Sequence, residues 1–156
     1  MTGIGIPLAD ERRAAAAEEL QGLLTDLVDL SLQGKQAHWN ATGRPFLTLH
    51  QQLDELVADT RTWVDALAER IVTLGRSPDG RAHTVAAATR LEAFPEGFVH
   101  DDKLVDVVVG RLETLVECAR ESADRLGPLD LVSQDLVIEI LRGLEKHLWM
   151  LQAQLA

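Results

Sequence analysis

The sequence predicts an all-α four-helix bundle in which a long crossover separates the second and third helices. Four segments carry apolar residues at helical spacing, and this is the first observation behind that expectation. The composition is the second: alanine, leucine, glutamate, arginine and glutamine abound, aromatics make up 4%, and tyrosine is absent. The third is the stretch from Arg76 to Val99, which far exceeds the ~2–8 residues usual between bundle helices. At 156 residues the chain fits one domain, residues 1–156, with length enough for a real hydrophobic core.

The first helix is expected from about Asp10 to His38, with Leu20, Leu23, Leu24, Leu27, Val28 and Leu30 on one stripe. The second follows Pro45, a residue suited to a first turn, and runs to Leu74, where Gly75 stops it. The third follows His100-Asp101-Asp102, where an aspartate can cap, and reaches Leu126 before Gly127-Pro128. The fourth starts near Asp130 or Ser133 and continues almost to the C-terminus. The long connection holds Pro78, Gly80, Pro95 and Gly97. A crossover joining two helices that run in the same direction accounts for its length. Its alanine-rich part, Thr84 to Leu91, is expected to form a short helix.

Hydrophobic residues form 46% of the chain and charged residues 26%, as in ordinary soluble globular proteins. Cys118 is the only cysteine. It excludes an intrachain disulfide and a cysteine-cluster metal site, and makes a reducing compartment the default. The opening MTGIGIPLAD has neither the basic start nor the apolar run of a secretion signal, and no later segment is suited to spanning a bilayer. A cytoplasmic location is the expectation. The net charge of -10 repels phosphate backbones and anionic membranes and concentrates cations near the surface.

Chemistry concentrates in KQAHWNATGRPFLTLHQQLDE, Lys35 to Glu55, which holds two of the five histidines. At ~100° per residue, Leu49, Leu53, Leu56, Thr60, Trp63, Val64, Leu67, Ile71 and Leu74 form the core stripe of the second helix. His50, Asp54, Asp65 and Glu69 fall on a different face, with Val57, Ala58, Ala68 and Val72 among them. That mixture points to burial against something outside the monomer's own core. His50 with Asp54, and Asp65 with Glu69, are i,i+4 pairs, so each pair can converge on one ion. The two pairs lie about 22 Å apart along the helix. No ion joins them within one chain. A single site using both needs a second copy, and a two-fold pairing then makes two identical sites. Spacing alone also fits solvated pairs on a helix flank, and fits His38 as a capping residue near a helix end.

KQAHWN, then F-x-x-L-H-x-x-x-D, then D-x-x-x-E-R ending in LG together resemble the Dps-type mini-ferritins of the ferritin-like superfamily. The likeness runs from about Asp10 to Leu151 by element order and takes in the late EKHLWML. The chain lacks any E-x-x-H, the signature of intrasubunit di-iron sites in larger ferritins, which separates it from that neighbouring family. The resemblance implies a hollow homo-dodecamer that oxidises ferrous iron, stores ferric mineral inside and protects against oxidative stress. It implies a dinuclear ferroxidase site at a two-fold interface, with His38, His50 and Asp54 from one subunit and Asp65 and Glu69 from its partner. It implies hydrogen peroxide as the preferred oxidant. Imidazole and carboxylate suit divalent iron, and accept zinc and manganese as well.

Trp39, beside a ligand, resembles the family tryptophan that intercepts stray oxidising equivalents; ordinary interface packing explains it equally. The resemblance also implies a negatively charged three-fold pore near the start of the fourth helix, where Asp130, Asp135 and Glu139 lie. Complementation of the helix dipole explains the same acids without a pore. His83 and His147 read as surface or packing residues, and His100 with Asp101 and Asp102 as a cap or an adventitious metal site. Cys118 reads as buried and inert.

DNA-binding members of the family generally use basic tails, since phosphate contacts supply most non-specific affinity. Here Arg12 and Arg13 face Asp10 and Glu11, and the C-terminal LQAQLA has no basic residue. Weak or no DNA binding at physiological salt is expected, with any nucleoid association and DNA protection indirect. The alternatives are a nucleoid-compacting DNA-binding protein with secondary ferroxidase activity, and a structural bundle without metal chemistry.

Overall fold

The computed structural model describes residues 5–155, so the first four residues of MTGIGIPLAD and the last of LQAQLA lie outside the described residues. The long helices are α1 (Asp10–Asn40), α2 (Phe46–Thr73), α4 (Asp101–Leu126) and α5 (Leu131–Gln152), with a short α3 (Ala82–Ala88) in the crossover. They form the expected all-α bundle. No helix among the described residues is long and apolar enough to cross a membrane.

The apolar stripes become the core. Leu20, Leu23, Leu27 and Leu30 of α1 meet Leu49, Leu53, Leu56, Leu67 and Ile71 of α2, all at most 2% exposed. Leu104, Leu112 and Leu115 of α4 and Val137, Ile140 and Leu144 of α5 complete it. Gly75 ends α2 with φ +80°. Its N–H donates to the Val72 carbonyl, and the Arg76 N–H donates to that of Ile71, the paired bonds of a Schellman cap. A side chain disfavours that backbone conformation, so glycine belongs there.

A two-residue parallel ladder, unexpected from the periodicity, joins β1 (Ala41–Thr42) to β2 (Val99–His100), with Ala41 facing Val99 and Thr42 facing His100. Because β1 follows α1 and β2 precedes α4, the end of α1 and the starts of α2 and α4 meet at one end of the bundle. Helices α2 and α4 therefore run the same way, as the length of the crossover implied.

The crossover is held against a polar edge of α1. The Gln21 side-chain amide donates to the Asp79 carbonyl and accepts from its N–H. Asp26, fully buried, accepts from both the backbone and the guanidinium of Arg90. Asp29 accepts from the Thr89 hydroxyl, and Gln33 donates to the Glu92 carbonyl. These bonds also correct the expected limits of the short helix. Asp79 accepts from the Arg81 N–H and the Thr84 hydroxyl, which starts α3 at Ala82. The Thr89 N–H still closes the last turn on the Val85 carbonyl, but Asp29 takes the Thr89 hydroxyl and Asp26 takes the Arg90 N–H out of helical pairing, which ends it at Ala88 rather than Leu91.

Asp130 takes up the start of the fourth long helix. It is the N-cap of α5, accepting from the Ser133 N–H at 3.1 Å and from the Ser133 hydroxyl. It also pairs with Arg70 of α2 at 2.6 Å. Its buried carboxylate is committed to this cap and ion pair. Burial pushes its pKa up, but the Ser133 and Arg70 hydrogen bonds together outweigh burial and hold it below the ordinary 3.8. Because folding lowers this pKa, the carboxylate adds stability above its ordinary titration range and loses it as pH falls through the lower folded value. Asp130→Asn keeps a capping oxygen but leaves Arg70 unpaired. It is expected to cost about 1–3 kcal/mol at neutral pH. Denaturant titrations should show that difference shrinking below about pH 4.

Gly143 of α5 lies against Trp63 of α2 so closely that an added Cβ would overlap the indole carbons. Gly143→Ala is expected to cost about 1–3 kcal/mol by forcing the indole to shift, read as a lower denaturation midpoint with an unchanged slope.

Candidate metal centre

The end of α1 and the first turns of α2 bring His38, His50 and Asp54 together, with one ligand atom of each within 4.8 Å of the others. The two imidazoles stack, with ring centroids 3.5 Å apart. Each Nδ1 faces the other residue's backbone carbonyl, at 2.9 Å for His38 to His50 and 3.0 Å for the reverse. A ring nitrogen facing a carbonyl must donate, so each ring carries a proton on Nδ1, and the neutral imidazole then presents its lone pair on Nε2. An outer hydrogen bond that fixes the tautomer and frees the second nitrogen is the usual preparation of a metal-ligating histidine. The same bond gives the His38 carbonyl, one of the last in α1, a partner its helix cannot supply. His38 is therefore both a tie from α1 to α2 and a candidate ligand, and the cap on the end of α1 comes from the His50 ring rather than its own.

Asp54 is half exposed and lies with Oδ1 3.3 Å from His38 Nδ1. The Lys35 ammonium sits 2.7 Å from the same oxygen. Its hydrogen bond is the main force holding the Asp54 carboxyl below the usual carboxylate range, against an opposing push from burial. Lys35 had no role assigned from sequence. The available signal was its spacing, three residues before His38 and four before Trp39, which places all three side chains on neighbouring parts of one helix face.

Asp65 and Glu69 are exposed on α2, one turn apart, and do not join the His38–His50–Asp54 group. Glu69 instead lines a surface concavity together with Asp135 and Glu139 of α5. Two acids assigned to a pore thus share a hollow with one assigned to the metal site. Trp39 is 65% exposed and borders a second concavity with Leu32, Lys35, Arg61 and Phe94.

The other histidines fall outside the cluster. His83 is exposed on α3. His100 pairs with Asp101, and Asp102 lies within ligand range of both. His147 is buried and its Nε2 meets Asp59 at 2.8 Å, a tie between α5 and α2 that sequence separation concealed. Cys118 is partly rather than fully buried, and burial pushes its thiol pKa up, which keeps it protonated near neutral pH.

A bundle with one long crossover and a histidine–carboxylate cluster at the α1–α2 corner defines a class of helical metal-handling proteins. The ferritin-like domain model matches residues 17–156. A DNA protection during starvation protein of Mycolicibacterium smegmatis is 36% identical over 99% of this chain and 85% of its own length. DNA protection during starvation protein 2 of Deinococcus radiodurans is 34% identical over 88% of this chain, but the match spans only 57% of that longer protein. The structure of Dps from Microbacterium arborescens in the high iron form superposes with a TM-score of 0.89 at 39% identity, covering 93% of this chain and 95% of that one. The chain belongs to the Dps group of the ferritin-like family.

Proposed function

We propose that this protein is an iron-oxidising mini-ferritin. It oxidises Fe(II) at dinuclear sites shared between two copies and stores the ferric product as mineral within a homo-dodecameric cage. The observation that carries this reading is the convergence of His38, His50 and Asp54, with each neutral imidazole presenting its lone pair on Nε2. Such a set accepts a divalent ion as substrate and holds it without a thiolate that peroxide would oxidise. Asp65 and Glu69 complete the site from the partner copy, consistent with their exposure and their separation from the histidines along α2. The high iron form in which the similar Microbacterium arborescens Dps was solved supports the same reading.

Hydrogen peroxide is the preferred oxidant. Two ferrous ions each give up one electron, the O–O bond breaks, and two hydroxides result, with no one-electron step to release hydroxyl radical. Trp39 lies beside this chemistry, where it intercepts stray oxidising equivalents and packs at the shared interface. Asp135 and Glu139 supply negative charge to a pore through which iron enters.

The test is anaerobic Fe(II) loading followed by stopped-flow addition of peroxide. Rapid oxidation at about two irons per peroxide is expected of the wild type. The expected result is at least a roughly hundredfold slower phase in His38→Ala/His50→Ala, and in Asp65→Asn although that residue lies apart from the histidines. Equal rates in all three proteins would sink the reading.

DNA protection proceeds indirectly, by removal of iron and peroxide. The basic residues near the N-terminus are occupied: Arg12 donates to the carbonyls of Pro128 and Leu129, and Arg13 pairs with Asp10. With a chain charge of -10, a gel-shift titration should show no retained duplex at physiological salt. Retention there would favour the nucleoid-compacting alternative.

A further inference from the structure

The Lys35 ammonium is the cation paired with a candidate ligand, and it occupies one of the two oxygens of the carboxylate a metal would use. Nζ lies 2.7 Å from Asp54 Oδ1, the oxygen that also faces His38 Nδ1 at 3.3 Å. An incoming divalent ion and an ammonium on one carboxylate oxygen repel each other, so both do not keep that contact. Lysine is suited to yield, because it is a point charge on a flexible four-carbon stem, unlike the rigid fork of arginine.

The structure also offers it somewhere to go. Nζ already stands 5.8 Å from the centre of the exposed Trp39 ring, within reach of a cation–π contact. The side chain borders an open concavity beside that ring. Asp54 and Trp39 are thus two alternative seats for one ammonium.

We propose that Lys35 is a displaceable counter-cation that competes with the metal for Asp54 and sets the affinity of the site, withdrawing towards Trp39 when an ion binds. This rests on the metal-site reading above. It assigns Lys35 a positioning role: the residue touches a ligand and no reacting atom. An internal competitor keeps the carboxylate paired in the absence of metal and weakens the hold on an ion that must later leave as mineral.

The test is an anaerobic titration of full-length protein with Co(II), followed by its visible absorption, on wild type, Lys35→Met, Lys35→Arg and His38→Ala/His50→Ala. Removing the competitor should tighten Co(II) binding about threefold to tenfold in Lys35→Met, the range expected from loss of an exposed ion pair and a nearby positive charge. Lys35→Arg should weaken it several-fold, because a guanidinium holds a carboxylate through two bonds and retreats less readily. A residue that merely supports the fold would shift both variants in the same direction. Unchanged or weaker binding by Lys35→Met overturns the proposal while leaving the metal site standing, provided the histidine variant still abolishes binding. If Co(II) binding does not depend on the histidines, the metal-site reading falls and this proposal with it.

Discussion

The arrangement depends on returning the chain from the far end of α2 to the start of α4, and a buried carboxylate anchors that return. Asp26 is fully buried in α1 and accepts both the backbone and the guanidinium of Arg90. A buried carboxylate is tolerated only when paired and hydrogen-bonded, so the crossover has little freedom to leave it. Gln21, Asp29 and Gln33 extend the same edge and fasten Asp79, Thr89 and Glu92. With the crossover fixed, its last residues reach β1, which directly follows the turn of α1 that carries His38. The His38–His50–Asp54 cluster therefore inherits its geometry from a polar seam that touches none of its three residues.

Within that corner the two histidines supply each other's outer hydrogen bonds. Many metal sites recruit a separate carboxylate or carbonyl to orient each imidazole. Here the His38 carbonyl orients His50 and the His50 carbonyl orients His38. The arrangement is compact and coupled, because displacing either residue frees the other's ring. It also explains why one short segment carries both.

The helices were legible because each leaves a stripe of apolar residues and a terminator such as Gly75, both local signals. The candidate metal residues entered through motif resemblance; the structure brings His38, His50 and Asp54 together and leaves Asp65 and Glu69 apart along α2, as simple helix geometry requires. What stayed hidden were polar partnerships across long sequence separations. Asp26 looked like one more acid on a helix, and Asp130 like a pore candidate, because periodicity reports which face a residue occupies and not what waits opposite it. His147 and Asp59 lie 88 residues apart. The β1–β2 ladder is only two residues long on each side, too short for any alternating pattern. Lys35 was overlooked for a different reason: it opens the KQAHWN motif, but a lysine there reads as surface charge until its ammonium is seen on Asp54.

The three tryptophans have an optical consequence. With no tyrosine in the chain, they account for nearly all of its near-ultraviolet fluorescence. Trp63 is packed against Gly143 and the edge of His147, where an apolar surrounding shifts emission to the blue. Trp39 and Trp149 are open to water at 65% and 66% exposure and emit to the red. Trp39, which borders the candidate metal site, shares the red part of the spectrum with Trp149, while the blue part follows the bundle core. With Trp149 replaced by phenylalanine, the red emission would belong to the candidate site and the blue emission to the fold.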